Sequence, residues 1–199
     1  MGEKNDDTTS ARGGRKAVFL DRDGTIIEDM DYLDDPAQIR LLDGAVDGLR
    51  RLQKAGYLLL VVTNQSGVAR GYFTEERLAR IHRVLRETLN KQGVKIDDFY
   101  YCPHLPGGEV DAYSGPCECR KPAPGLIERA AAEWNADVSR SVAVGDSERD
   151  VEAGRKAGCA TVLLDPEGTP ADTCADAVAA DMAAVADLIL DGRLPRRSR

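Results

Sequence analysis

What most constrains the fold of this chain is how its apolar runs end. Ala17–Leu20, Tyr57–Val62, Ser141–Val144 and Ala160–Leu164 are nearly continuous apolar stretches of strand length, as expected of parallel strands covered on both faces. Asp98–Cys102 is a shorter aromatic run that reads as a further strand. Polar residues with chemical capacity follow these runs: Asp21 and Asp23, then Thr63 and Asn64, then Asp146 and Asp150, with Arg120 and Lys121 placed just before a helix. Helical patterns lie between the runs. Gly44 opens one with Val46, Leu49, Leu52 and Ala55 on a single face, stopped by Gly56; Thr74 caps a second that runs through Leu78, Ile81, Leu85 and Leu89 to about Lys91. A third starts at Pro124 and carries Leu126, Ile127, Ala130, Ala131 and Trp134, a fourth ends near Ala157, and Ala175–Leu190 reads as a loop and one closing helix. Strands alternating with helices predict an α/β domain with a mostly parallel sheet and right-handed crossovers. In such a sheet every strand end named above lies on one edge, where ligands bind.

The chain of 199 residues suits one domain with a proper core. Residues 1–14, polar and without the apolar stretch of a secretory signal, read as a disordered leader, and 192–199, with four Arg in the last seven residues, as a basic, solvated tail. No apolar run is long enough to span a bilayer, so the expectation is a soluble, cytoplasmic monomer with no membrane partner. A net charge of −7 argues against a general nucleic-acid surface but leaves small anions open.

Carboxylates two residues apart on a strand-end turn, Asp21 and Asp23 before Gly24, can divide labour, one attacking or holding a metal while the other carries a proton. Three acids with a hydroxyl, an amide and a Lys suit phosphoryl transfer, because acids hold Mg²⁺ while hydroxyl and cation hold phosphate oxygens. The long polar connection Ile26–Asp43 reads as a flap or binding loop. No Gly-x-x-x-x-Gly-Lys loop is present, which argues against a nucleotide-driven kinase. Of the five cysteines, Cys102, Cys117 and Cys119 crowd into one loop with His104; three thiolates and one imidazole suit tetrahedral, structural Zn²⁺. Cys159 reads as a small core residue, Cys174 as a loop residue, Trp134 as packing, and His82 as a helix-surface residue.

Asp21-x-Asp23-Gly-Thr25, Thr63-Asn64, Lys121-Pro122 and Gly145-Asp146-x-x-x-Asp150 resemble, in order, the four signature motifs of haloacid dehalogenase superfamily phosphatases. Closer still, Asp21-Arg-Asp-Gly-Thr-Ile, Thr63-Asn-Gln-Ser-Gly-Val-Ala-Arg-Gly, Tyr101-Cys-Pro-His and Cys119-Arg-Lys-Pro look like the D-glycero-D-manno-heptose 1,7-bisphosphate phosphatases over residues 16–190. Histidinol-phosphate phosphatases are the nearest competing group. The resemblance implies a Rossmann-like three-layer αβα fold with no large cap domain, residues 15–191 forming the phosphatase domain and residues 102–119 its zinc loop. It implies Asp21 as nucleophile, Asp23 as acid and base, and Mg²⁺ on Asp21, Asp146 and the Asp23 carbonyl. Thr63 and Lys121 would hold the transferring phosphoryl group, and Asp150 would position neighbours. Asp29, Tyr32, Thr63, Asn64, Gln65, Ser66, Arg120 and Lys121 would hold a small phosphorylated sugar, with Arg120 suited to a second phosphate. Ser147 stands where some relatives carry Lys. A non-enzymatic zinc-bearing protein on the same fold would require loss of Asp21, Asp23, Lys121 or Asp146, and all four are present.

Overall fold

The computed structural model describes residues 14–168 and 172–197. The expected leader, Gly14 apart, and the last two residues of the basic tail lie outside them. Six strands, β1 (Ala17–Leu20), β2 (Leu58–Asn64), β3 (Asp98–Cys102), β4 (Val142–Gly145), β5 (Ala160–Leu164) and β6 (Ala177–Ala179), form one sheet in the order β3-β2-β1-β4-β5-β6. Every pairing is parallel. β6 was not anticipated; its three residues pair with Val162–Leu164 at the edge of the sheet, inside a stretch read as loop and helix.

The helices are α1 (Ala45–Lys54), α2 (Glu75–Lys91), α3 (Gly125–Trp134), α4 (Glu148–Ala157) and α5 (Met182–Leu190). Alternation along β1 sets the layers. Val18 and Leu20 face a cluster with Leu49 and Leu52 of α1, Ile81 and Leu85 of α2, and Val185 of α5, whereas Ala17 and Phe19 face Leu126 and Ala130 of α3 and Ala153 of α4. Both sheet faces are thereby covered, which is why the strands read as unbroken apolar runs. α1 and α5 approach so closely that a Cβ on Gly48 would lie 2.1 Å from the Met182 carbonyl oxygen. Cys159 is buried in the second cluster, Cys174 is exposed, and Trp134 packs at the edge of that cluster beneath the Arg15 guanidinium.

Strand order reverses between β1 and β4, and the crevice of a doubly wound sheet opens at such a switch point. The Asp21 N–H still donates to the Val144 carbonyl at 2.9 Å, so the chain stays in register up to the first carboxylate. The Ile26–Asp43 connection is anchored rather than loose: Ile26, Ile27 and Leu33 are buried, and Glu28 and Leu42 donate backbone bonds to Arg40 and Ile26. Among the described residues no second sheet or helical unit stands over the strand ends, and no helix is long and apolar enough to cross a membrane. The basic tail is not wholly solvated, because Arg197 bonds both oxygens of Asp176 at 2.6 and 2.7 Å.

Candidate active site

Gly24 makes the turn after β1 possible. It sits at φ +70°, and a Cβ there would come within 2.0 Å of Asp146 Oδ2, so the turn brings the ends of β1 and β4 closer than any side chain at this position allows. Asp21, Asp146 and Asp150 consequently offer carboxylate oxygens within 4.8 Å of one another. Lys121, almost fully buried, bridges Asp21 and Asp150, with Nζ 2.9 Å from Asp21 Oδ1, 2.5 Å from Asp150 Oδ1 and 2.8 Å from the Val62 carbonyl oxygen. Asn64 fixes the Lys121 backbone, accepting from its N–H and donating to its carbonyl, both at 3.0 Å. The Lys121–Pro122 peptide bond is cis.

The electrostatics follow from crowding. Burial first, then the neighbouring Asp150 and Asp23, raise Asp21 to about 6 against the pull of Lys121. Asp146, although it reaches solvent, is raised to about 7 by desolvation and by Asp21 and Asp150. Burial opposes the charge on Lys121, but Asp21 and Asp150 outweigh it and hold the ammonium above the ordinary lysine value. Carboxylates that resist ionisation beside one another are a natural seat for a hard divalent cation with oxygen ligands. Asp150 is already committed: besides Lys121, it accepts from the Ser147 backbone N–H and hydroxyl, closing the first turn of α4.

Asp23 faces the other way. Its carboxylate accepts from Arg22 Nε and Nη2 at 2.9–3.1 Å and from Gln65 Nε2 at 2.8 Å, and Gln65 Nε2 also donates to Thr63 Oγ1 at 2.9 Å. A cavity of about 270 Å³ opens above these groups. Of the residues expected to hold substrate, Asp29, Tyr32, Asn64, Gln65, Ser66 and Lys121 line it, together with Asp21 and Asp23. Thr63 is buried and is not among the lining residues; its hydroxyl accepts from Gln65, which is. Arg120 is not among the lining residues; its Nη1 donates to the His104 carbonyl at 3.2 Å. The cavity wall instead includes Arg149 and Ser147 from the start of α4, and Asp31 from the flap. Arg149 makes no ion pair or side-chain hydrogen bond among the described residues, unlike Arg22 and Lys121. Asp31 and Tyr32 both hold positive φ, 45° and 73°, a strained conformation for residues with side chains, and Tyr32 rests edge-on against Tyr72 with the Arg70 guanidinium over its ring.

His82 departs from its expected place on the helix surface. It is buried, stacked on Phe99 at 4.8 Å between ring centroids, with Nε2 3.2 Å from Arg22 Nη1. Its position four residues after Leu78 on the α2 stripe carried that signal.

Cys102, His104, Cys117 and Cys119 bring their donor atoms within 4.8 Å of one another. Cys119 and Cys102 sulfurs are 3.1 Å apart, and His104 Nδ1 is 3.4 Å from Cys119 Sγ and 3.6 Å from Cys102 Sγ. None of the four forms a disulfide, and the donor set matches a closed tetrahedral zinc site. Burial pushes the Cys102 and Cys119 thiols up, whereas Cys117, against its own burial, is held below the ordinary thiol value by hydrogen bonds from Cys119, the Arg120 backbone and Cys102. A cation at the centre would offset the cost of ionising the first two.

Residues 118–191 match the HAD-hydrolase-like family model. The D-glycero-beta-D-manno-heptose-1,7-bisphosphate 7-phosphatase of Rhodopseudomonas palustris is 45% identical over 150 residues, 75% of this chain and 83% of that protein. A D-glycero-alpha-D-manno-heptose-1,7-bisphosphate 7-phosphatase of Photorhabdus laumondii is 38% identical over 155 residues, 78% of this chain and 85% of that protein. Among solved structures, the D,D-heptose 1,7-bisphosphate phosphatase of B. bronchiseptica complexed with magnesium and phosphate aligns with a TM-score of 0.75 at 35% identity, covering 89% of this chain and 99% of that one.

Proposed function

This chain belongs to the family of heptose 1,7-bisphosphate 7-phosphatases among the haloacid dehalogenase-like hydrolases, and we propose that it removes the C7 phosphate of D-glycero-D-manno-heptose 1,7-bisphosphate. The observation that carries the chemistry is the pairing of Asp21 with Lys121 Nζ at 2.9 Å at the mouth of β1, with Asp23 two residues on. Asp21 attacks phosphorus and becomes an aspartyl-phosphate. Asp23 gives its proton to the departing C7 oxygen and takes one from the water that hydrolyses the aspartyl-phosphate. Lys121 and Thr63 hold phosphoryl oxygens, and Lys121 offsets charge on Asp21 during attack. Asp29, Tyr32, Asn64, Gln65 and Ser66 line the space for the sugar.

Mg²⁺ fits Asp21, Asp146 and the Asp23 carbonyl, since Asp150 is occupied by Lys121 and Ser147. Bound there it would neutralise charge on the transferring phosphoryl group. Zinc on Cys102, His104, Cys117 and Cys119 would staple the loop that leads into Arg120 and Lys121, with no open position for chemistry. On this reading residues 15–191 are one catalytic domain, working as a cytoplasmic monomer on a small phosphorylated sugar.

A second reading has a specific observation behind it: Asp29 and Asp31 place carboxylates at the cavity wall, which suit the amine of histidinol phosphate. Steady-state kcat/KM with Mg²⁺ for both anomers of the heptose bisphosphate and for histidinol phosphate, with Asp21→Asn as blank, decides between them. Preference for a bisphosphate anomer that vanishes in the blank supports the proposal. Preference for histidinol phosphate overturns the substrate, and activity that survives Asp21→Asn overturns the covalent mechanism.

A further inference from the structure

Arg22 is among the largest fully buried side chains of the protein, a cation sealed beside the proposed acid, Asp23. Its guanidinium is used on three sides. Nε and Nη2 grip Asp23, Nη2 also donates to Gln65 Oε1 at 2.9 Å, and Nη1 meets His82 Nε2 at 3.2 Å. An arginine has only donors, so the bond to His82 exists only if Nε2 carries a lone pair and the ring proton sits on Nδ1. The surroundings enforce that neutral state. Burial first, then the charges of Arg22 and Arg86, lower His82 to about 3, and Phe99 and Tyr101 close around the ring.

We propose that His82 is a positioning residue for the general acid: as the sole acceptor for the far edge of Arg22 among the described residues, it holds the guanidinium in the plane from which Arg22 and Gln65 together orient the Asp23 carboxylate. This inference rests on Asp23 acting as acid in the reaction proposed above. Among the described residues no other acceptor bonds Nη1, and the imidazole that does is itself held between Phe99 and Tyr101. Without the imidazole, a buried donor edge is left with no acceptor, and the guanidinium turns toward another at the expense of its grip on Asp23. His82 touches neither substrate nor reacting atoms; it acts through Arg22.

The step it serves is transfer of the Asp23 proton to the oxygen whose bond to phosphorus breaks as the Asp21 oxygen bonds to phosphorus. That step matters for a sugar alkoxide and hardly at all for p-nitrophenolate, which leaves without a proton. The test is therefore kcat/KM, which reports steps up to departure of the leaving group, across alkyl and aryl phosphates of rising leaving-group pKa. His82→Leu should steepen the dependence, with the sugar phosphate falling about 10–100-fold, a fraction of what general acid catalysis supplies, and p-nitrophenyl phosphate staying within about threefold. His82→Gln, whose amide oxygen accepts from Arg22, should restore the wild-type slope.

Equal losses on all esters in His82→Leu, or no loss on any, overturn the positioning role, because a merely structural residue moves every substrate together. The same holds if His82→Gln behaves like His82→Leu while both melt like wild type. A wild-type enzyme with a normal slope that nevertheless ignores the heptose bisphosphate would overturn the substrate assignment and leave this inference standing, so the two fail separately.

Discussion

The carboxylate cluster makes an opposite demand on stability with and without metal, and pH separates the two. Asp21 is raised from 3.8 to about 6 in the native protein, a shift of about 2 units, and at about 1.4 kcal/mol per unit this caps its effect at about 3 kcal/mol. The folded state holds the proton more tightly than the unfolded chain, so metal-free stability is highest below pH 4 for this group and falls as pH rises through about 6. Asp146 acts in the same direction up to about pH 7. A bound divalent cation relieves the repulsion. The rise in melting temperature on adding saturating Mg²⁺ should therefore be larger at pH 8 than at pH 5, by up to about 10 °C at roughly 2–4 °C per kcal/mol. His82 adds a slope of opposite sign, but it is present with and without Mg²⁺ and cancels in the difference. Asp21→Asn supplies the control: the metal-free variant should melt above metal-free wild type at pH 8 and respond less to Mg²⁺. Differential scanning calorimetry on protein purified without chelator, so that any metal on the cysteine loop is retained, reads both. An Mg²⁺-induced rise that is the same at pH 5 and pH 8, or an Asp21→Asn variant no more stable than wild type at pH 8, would refute the reasoning.

Arg149→Ala should cut kcat/KM for the bisphosphate by about 10–100-fold, the worth of one charged hydrogen bond of 1.5–3 kcal/mol, and leave a monophosphate ester within about threefold; equal losses would show that the guanidinium does not read the second phosphate. Gly24→Ala places a methyl against Asp146 Oδ2 at positive φ, so the Mg²⁺ concentration for half-maximal activity should rise at least about tenfold, as for other changes that displace a metal ligand; an unchanged Mg²⁺ titration would contradict the close approach. Cys119→Ser should lower zinc content measured by atomic emission from one per chain and open residues 103–116 to limited proteolysis, and a full zinc complement in the variant would remove Cys119 from the site. His82, neutral at about 3 against 6.5 in the unfolded chain, makes stability fall as pH drops below 6.5, by at most about 5 kcal/mol; His82→Gln should flatten that acid limb in urea titrations, and an identical limb would show that His82 titrates freely.

The placement of Asp21, Asp23, Asn64 and Asp146 at one edge was legible because a buried parallel strand is largely apolar along its length and turns polar where it ends, and Lys121 because it stands just before a helix that follows such a strand. His82 was less so. The α2 stripe of Leu78, Ile81, Leu85 and Leu89 already places position 82 at its flank, but residue type argued for solvent, and only a partner 60 positions away in sequence, Arg22, makes burial of an imidazole tolerable. Long-range satisfaction of that kind leaves no local periodicity. β6 was hidden for a different reason, since Ala177–Ala179 has the composition of a helix and becomes a strand through edge pairing with β5.

The two arginines show where strand-end reasoning stops. The end of a strand fixes a backbone position, yet a guanidinium reaches well beyond its own Cα in a direction set by whichever acceptor it finds. Arg120, adjacent to the buried Lys121, found the His104 carbonyl of the cysteine loop and bonds there. Arg149, three residues past Asp146 and on the first turn of α4, has no ion pair or side-chain hydrogen bond among the described residues and lines the cavity. A guanidinium anchored on the cysteine loop and absent from the cavity lining must leave that position to reach an anion in the cavity, whereas one already at the cavity wall loses only water. On that argument Arg149 is better placed than Arg120 for the distal phosphate, and the Arg149→Ala and Arg120→Ala variants, compared on bisphosphate and monophosphate, should differ in the former and not in the latter.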